Sequence, residues 1–297
     1  METKLFGAGS DLGVHIDGAR LGPTQLINDV KNYCLGDIFS IKQDDSIIKS
    51  RNLSDRRKNE YEVVNFDEEL YNLILENSKE GCFPITIGGD HSIAIASCLA
   101  STKRCDKVGL IWIDAHGDYN TFKTTSTGNM HGLPLAAITG FQNHELITFH
   151  DGRLIEPSKT VIVGARSLDP EEKDNLRYSG VTVFSTADIR EKGLEFVMNE
   201  AFRIAGIKTD GIHISYDIDV LDPDIAPGVS VPEFDGLTEE EGMKINEIII
   251  KNINNVIAYD LVEFNPLRDE KRKTEQIAVN LLVQIIKAAQ KKGKKYN

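Results

Sequence analysis

Short runs of apolar and β-branched residues alternate with longer segments of helical periodicity along nearly the whole chain. This alternation constrains the fold more than any other feature. Strand-like runs fall at Lys4–Phe6, Asp37–Ile41, Phe83–Ile87, Lys107–Ile113, Thr160–Val163, Thr182–Ser185, Gly211–Asp217 and Val256–Leu261. Helical patterns fall at Thr24–Tyr33, Phe66–Asn77, Ser92–Ala100, Asp169–Arg177, Leu194–Ala205, Glu239–Lys251 and Thr274–Lys291. Strands separated by helices pair in parallel, so the pattern predicts an α/β fold, a mostly parallel sheet covered by helices on both faces. Helix starts agree: Thr238 precedes Glu239, Glu240 and Glu241, which sets acids against the helix dipole.

No linker, low-complexity segment or internal repeat interrupts the pattern, and a single domain over residues 1–297 is expected. The charged stretch Asp44–Glu60 has little periodicity and reads as an exposed loop. A net charge of −12 argues against nucleic acid or an anionic membrane surface as partner. The basic run from Lys287 to Lys295 reads as a frayed helix end with a solvated tip. No secretory signal opens the sequence, no apolar run is long enough to span a bilayer, and the four cysteines lack a disulfide or Cys-x-x-Cys spacing. These features predict a cytoplasmic protein with reduced thiols.

Chemistry concentrates where strands end. After the run to Ile113 come Asp114, His116 and Asp118, at alternate positions that an extended backbone turns to one side. Two carboxylates and an imidazole aimed at one spot call for a positive centre, of which a divalent metal is the simplest; a solvated loop is the bland alternative. Asp217 and Asp219 repeat the arrangement at the end of another strand, where Asp222-Pro223 also permits a plain turn. His91, in Gly88-Gly-Asp-His91-Ser92, stands at a third strand-to-helix junction, where a lone histidine can be a structural hydrogen-bonder. Together these make two histidines and four aspartates. That is too much negative charge for one tetrahedral zinc, and it suits two hard or borderline ions, manganese above zinc, sharing carboxylates.

These segments resemble those of the ureohydrolase family, which includes arginase, agmatinase and formimidoylglutamase. The similarity covers about residues 83 to 285, with a looser likeness at Gly18-Ala-Arg-Leu-Gly22-Pro23. It implies a three-layer α/β/α domain with an eight-stranded, mostly parallel sheet and two Mn2+ per chain. By resemblance, His91, Asp114, Asp118 and Asp217 would hold one ion, and His116, Asp114, Asp217 and Asp219 the other. A metal-bridging hydroxide would then attack a guanidinium carbon, with Asp118 assisting and His131 shuttling a proton, a task suited to a group that titrates near neutrality. Glu263 matches the carboxylate that pairs with the guanidinium. Every candidate ligand and His131 is present, which speaks against a silent scaffold. An oligomer, trimer or hexamer, is also implied.

Within the family the likeness is greatest to arginases, which convert L-arginine and water to L-ornithine and urea. Asn120, Thr127 and Asn129 match positions for the substrate α-carboxylate, and Asp169 and Glu172 match positions for its α-amino group. Asp169-Pro-Glu-Glu172 also reads as an ordinary helix start. Two departures touch the guanidinium pocket: Val231 replaces a threonine, and Asp235 replaces a glycine. The Val229-Ser-Val231-Pro232 form is similar to formimidoylglutamases, so a formimino compound or another guanidino acid is the alternative substrate.

Overall fold

A computed structural model of the chain describes residues 1–292 apart from 51, 53 and 80. Eight strands form one sheet: β1 (Glu2–Gly9), β2 (Ile38–Lys42), β3 (Cys82–Gly88), β4 (Val108–Ile113), β5 (Thr160–Ala165), β6 (Thr182–Ser185), β7 (Gly211–Asp217) and β8 (Val256–Val262). Their order is β2-β1-β3-β8-β7-β4-β5-β6. Every pairing is parallel, where the sequence predicted only a mostly parallel sheet.

The described helices are α1 (Gly22–Val30), α2 (Glu60–Asn77), α3 (Ala94–Arg104), α4 (Pro134–Ile138), α5 (Pro170–Ser179), α6 (Thr186–Lys192), α7 (Leu194–Gly206), α8 (Glu239–Lys251) and α9 (Lys273–Lys291). Side chains alternate across each strand, and β4 shows the consequence. Ile111 and Ile113 join the core shared with α1, α7, α8 and α9, while Leu110 and Trp112 join the core shared with α2, α3 and α4. Both faces are therefore covered, which is why the central strands read as continuous apolar runs. No described helix is long and apolar enough to cross a membrane.

The short helices α4 and α6 were not legible, because five and seven residues are too few to show a period. Helix α2 begins at Glu60, six residues before the expected start at Phe66. The Asp44–Glu60 stretch is not simply exposed: Lys58 and Asn59 are buried, and the Lys49 side chain is only 6% exposed. Charge is buried there because it is paired, as described below. The basic tail is helical to Lys291, and residues 293–297 lie outside the described residues.

Topology places the chemistry. Strands β3, β8, β7 and β4 are neighbours at the centre of the sheet, and their carboxyl ends carry His91, Glu263, Asp217 and Asp114 respectively. Register keeps these ends level, with Ile113 opposite Tyr216 and Asp217 opposite Val262. Carboxyl ends of parallel strands are where such sheets place their ligands.

Candidate active site

His91, Asp114, Asp118 and Asp217 converge under the carboxyl edge of the sheet. His91 Nδ1 lies 3.0 Å from Asp114 Oδ2, 3.1 Å from Asp118 Oδ2 and 3.1 Å from Asp217 Oδ2. His116 Nδ1 lies 3.4 Å from Asp114 Oδ1 and 3.0 Å from Asp219 Oδ2. Asp114 thus faces both histidines with separate oxygens, and two His/Asp groups that could hold a metal ion share it.

The arrangement fits metal ions better than hydrogen bonds. His91 Nδ1 is buried and makes no hydrogen bond, although three carboxylate oxygens surround it. Donors bound to one ion at roughly 2.0–2.2 Å stand about 3 Å from one another. Burial first, and the Asp114 charge second, push the Asp118 carboxyl up to about 7. Burial and the charges of Asp219 and Asp114 likewise raise Asp217 well above the usual carboxylate range. Such a cluster stays fully ionised only with positive charge at its centre.

A second layer of side chains fixes this floor. Trp112 donates from Nε1 to Asp114 Oδ2 at 2.8 Å, and its ring stacks on His91 at 3.9 Å and 8°. Ser215 Oγ meets His91 Nε2 at 2.9 Å, so the ring presents Nδ1 to the carboxylates. Both partners were predictable in principle, since Trp112 and Ser215 lie two residues before Asp114 and Asp217 on the same strand faces. Asp118 and Glu263 adopt left-handed backbone, with φ of 49° and 67°, a conformation that costs a side-chain-bearing residue about 1–3 kcal/mol.

His131 and Glu263 form the next element. Glu263 Oε1 accepts from the His91 backbone N–H at 2.8 Å and meets His131 Nδ1 at 3.0 Å; Oε2 is buried without a partner. Burial opposes charge on His131, but the Glu263 carboxylate outweighs it, and the imidazole pKa is raised. With Nδ1 committed to Glu263, the other ring nitrogen is left for the cavity. Glu263 itself is 3% exposed and is not among the residues that line the cavity.

Above the floor opens a cavity of about 270 Å³, lined by His116, Asp118, His131, Asp217 and Asp219 below and by loop residues around the rim. Around the rim stand His15, Asn120, Thr127, Asn129, Ser167, Asp169, Glu172, Val231 and Glu233. The wall residues are partly spoken for. Asn120 Nδ2 donates to Asp169 Oδ2 at 3.2 Å. Glu172 accepts from the Tyr119 N–H at 2.8 Å and the Asp169 N–H at 3.2 Å, which closes a capping box at the start of α5. Burial lifts its pKa to about 8. Glu172 therefore serves the helix start and also borders the cavity.

Two half-buried cations brace the rim. Lys49 Nζ donates to the carbonyls of Asp11, Val14 and Ile16 and pairs with Asp11 and Asp17. Arg166 donates to the carbonyls of Asp219, Val220, Leu221, Glu233 and Phe234. A carbonyl cage of this kind needs the fold to bring its members together, so sequence reasoning missed it.

The family model for the arginase family matches residues 1–287. The chain belongs to that family. The arginase of Bacillus caldovelox is 35% identical over 297 residues, covering 94% of this chain and 96% of its own. The solved structure of that arginase superposes with a TM-score of 0.88 at 32% identity, over 99% of both chains. A structure of Entamoeba histolytica arginase in complex with L-ornithine has a TM-score of 0.87 at 25% identity, over 95% of this chain and 97% of that one. This family member is accordingly an arginase-type amidinohydrolase, a hydrolase of C–N bonds in linear amidines.

Its two departures from the arginase pattern separate in space. Val231 lines the cavity and offers it no hydroxyl. Asp235 is not among the lining residues; its φ of 62° explains why glycine is expected there, and aspartate tolerates the conformation better than most side chains. Asp235 therefore bears on a turn, and of the two only Val231 lines the cavity. Glu233, an acid the sequence reading passed over, has Oε1 3.6 Å from His116 Nε2.

Proposed function

We propose that the chain hydrolyses L-arginine to L-ornithine and urea, with two manganese ions held by His91, Asp114, Asp118 and Asp217 on one side and by His116, Asp114, Asp217 and Asp219 on the other. The observation that carries this reading is the position of Asp114, whose two oxygens face two separate His/Asp groups. When bound, the ions would supply Lewis-acid activation of the attacking water and neutralise the charge formed. The donors, two imidazoles among four hard carboxylates and no thiolate, support manganese.

The chain's own groups do the rest. Asp118 borders both the floor and the cavity, where its carboxylate orients the attacking water and returns a proton to the leaving amine. His131, steadied by Glu263, exchanges that proton with solvent in the cavity. Glu263 Oε2, buried and unpartnered, is the acceptor available for a guanidinium N–H. Asn120, Thr127 and Asn129 address the α-carboxylate, and Asp169 and Glu172 the α-ammonium. This reading also takes residues 1–297 as one domain, cytoplasmic and assembled as a trimer or hexamer, with the family resemblance as its support.

The test is direct: the manganese-loaded protein is incubated with L-arginine, and urea and ornithine are measured in equal amounts. No urea from protein that retains its metal would sink the proposal. A formimino compound or another guanidino acid is the second reading, favoured by Val231 in the cavity wall. Release of formamide from formimidoylglutamate in the same assay would select it.

A further inference from the structure

His15 has no counterpart among the residues discussed for the reaction, yet it lines the cavity beside Asn129. Its segment is held from several sides. Lys49 grips the carbonyls of Val14 and Ile16, which flank it. Gly13 N–H donates to Asp90 Oδ2 at 2.9 Å, and Gly13 O accepts from the His131 N–H at 3.1 Å, tying the loop to the segment that carries His131. Asn59 Nδ2 donates to Leu12 O at 2.8 Å. A loop braced this way presents its side chain in a fixed place, as ligand recognition requires.

The ring's proton is placed as well. Asn129 Nδ2 lies 3.0 Å from His15 Nδ1, and an amide nitrogen only donates, so Nδ1 accepts and the proton of the neutral ring sits on Nε2. Partial desolvation first, then the charges of Lys58 and His131, lower the imidazole pKa of this exposed ring, which favours its neutral form. Nε2 has no protein hydrogen-bond partner among the described residues.

The neighbouring donors are largely engaged. Asn129 gives an amide N–H to His15, and its buried Oδ1 can only accept. Asn120 gives an amide N–H to Asp169, and its Oδ1 accepts from Thr124. Thr127 Oγ1 accepts from the Asn129 N–H and keeps its own proton to give. A carboxylate here needs several donors, and His15 Nε2–H is uncommitted alongside the Thr127 hydroxyl.

We propose that His15 donates from Nε2 to the α-carboxylate of the substrate and so helps this chain select amino-acid substrates over their decarboxylated or amidated relatives. The inference rests on the reading that the substrate is an α-amino acid.

The test compares the manganese-loaded wild type with His15→Ala, measuring KM and kcat for L-arginine and the inhibition constant of L-argininamide, which lacks the carboxylate. Losing one hydrogen bond to a carboxylate should raise the KM for arginine about 10-fold or more. The kcat and the argininamide constant should each stay within about twofold. An unchanged KM overturns the proposal. Equal weakening of arginine and argininamide also overturns it, because a loop that merely lost its packing would treat both alike. Failure of the wild type to release urea from arginine counts instead against the proposed reaction, so the two readings fail separately.

Discussion

The floor of the cavity and its rim are built on different principles. The floor comes from the ends of four adjacent strands, and His91, Asp114, Asp217 and Asp219 are each 3% exposed or less. Backbone direction aims those side chains, and Trp112 and Ser215 lock them. The rim comes from loops far apart in sequence, held in place by Lys49 on one side and Arg166 on the other. Strands set positions through their own geometry, whereas loops depend on partners elsewhere in the chain. Changes on the floor should therefore abolish chemistry, and changes on the rim should retune what enters.

The sharpest break in that comparison is Asp114→Ala. It removes the carboxylate that both groups share and leaves the other acids facing one another. The variant should retain no manganese after dialysis and release urea only at background. Because Trp112 is the only tryptophan and bonds Asp114, manganese titration should change the fluorescence of the wild type and leave that of the variant flat. Normal metal content in the variant would refute the shared-ligand assignment.

His131→Ala probes the boundary between floor and rim. Metal content should be unchanged by elemental analysis, while kcat falls roughly 10²- to 10³-fold, the range for a proton-transfer group. If kcat stays within tenfold, proton transfer runs through another group.

Beneath the floor, His213 Nε2 contacts Asp260 Oδ2 at 2.8 Å and its Nδ1 meets Ser101 Oγ at 2.9 Å, all fully buried. Burial opposes the imidazolium, but the Asp260 charge prevails and raises the His213 pKa to about 10. Its folded value exceeds its unfolded value of 6.5, so the pair's contribution is complete below pH 6.5 and is lost as pH rises towards 10. The loss is on the order of 1 kcal/mol per pH unit. Urea midpoints between pH 7 and 10 should show this slope, and the double variant His213→Gln/Asp260→Asn should flatten it. An equal slope in both would remove the pair as its cause.

Val231→Thr sits at the small end. A hydroxyl restored to the rim should raise kcat/KM for arginine about 3- to 10-fold, one hydrogen bond's worth. A fall would indicate that the cavity wall is shaped for a different amidine.

Sequence reasoning reached the floor and stopped short of the rim for the same physical reason. A period of two is readable in one dimension, so Asp114, His116 and Asp118 could be grouped before any fold was known. The strands were legible because burial on both faces leaves them continuously apolar. His15, Lys49 and Arg166 carry no such period. Their roles arise from contacts across the fold: Lys49 with Asp11, 38 residues away, and Arg166 with Phe234 O, 68 residues away. Glu172 was ambiguous in sequence and is double in the structure, a helix cap that also borders the cavity.

The position of β8 has a consequence for how the protein is made. This last strand lies between β3 and β7, and no other pairing joins the β2-β1-β3 half of the sheet to the β7-β4-β5-β6 half. A ribosome delivers residues 256–262 after every other strand has emerged, so until then both halves present open parallel edges. The carboxylate at residue 263 arrives with the strand that joins them. Nascent chains stalled before this point hold all six candidate ligands on two pieces of sheet that no strand pairing joins, His91 on one and the other five on the other. Closure of the sheet is thereby made a late event in synthesis.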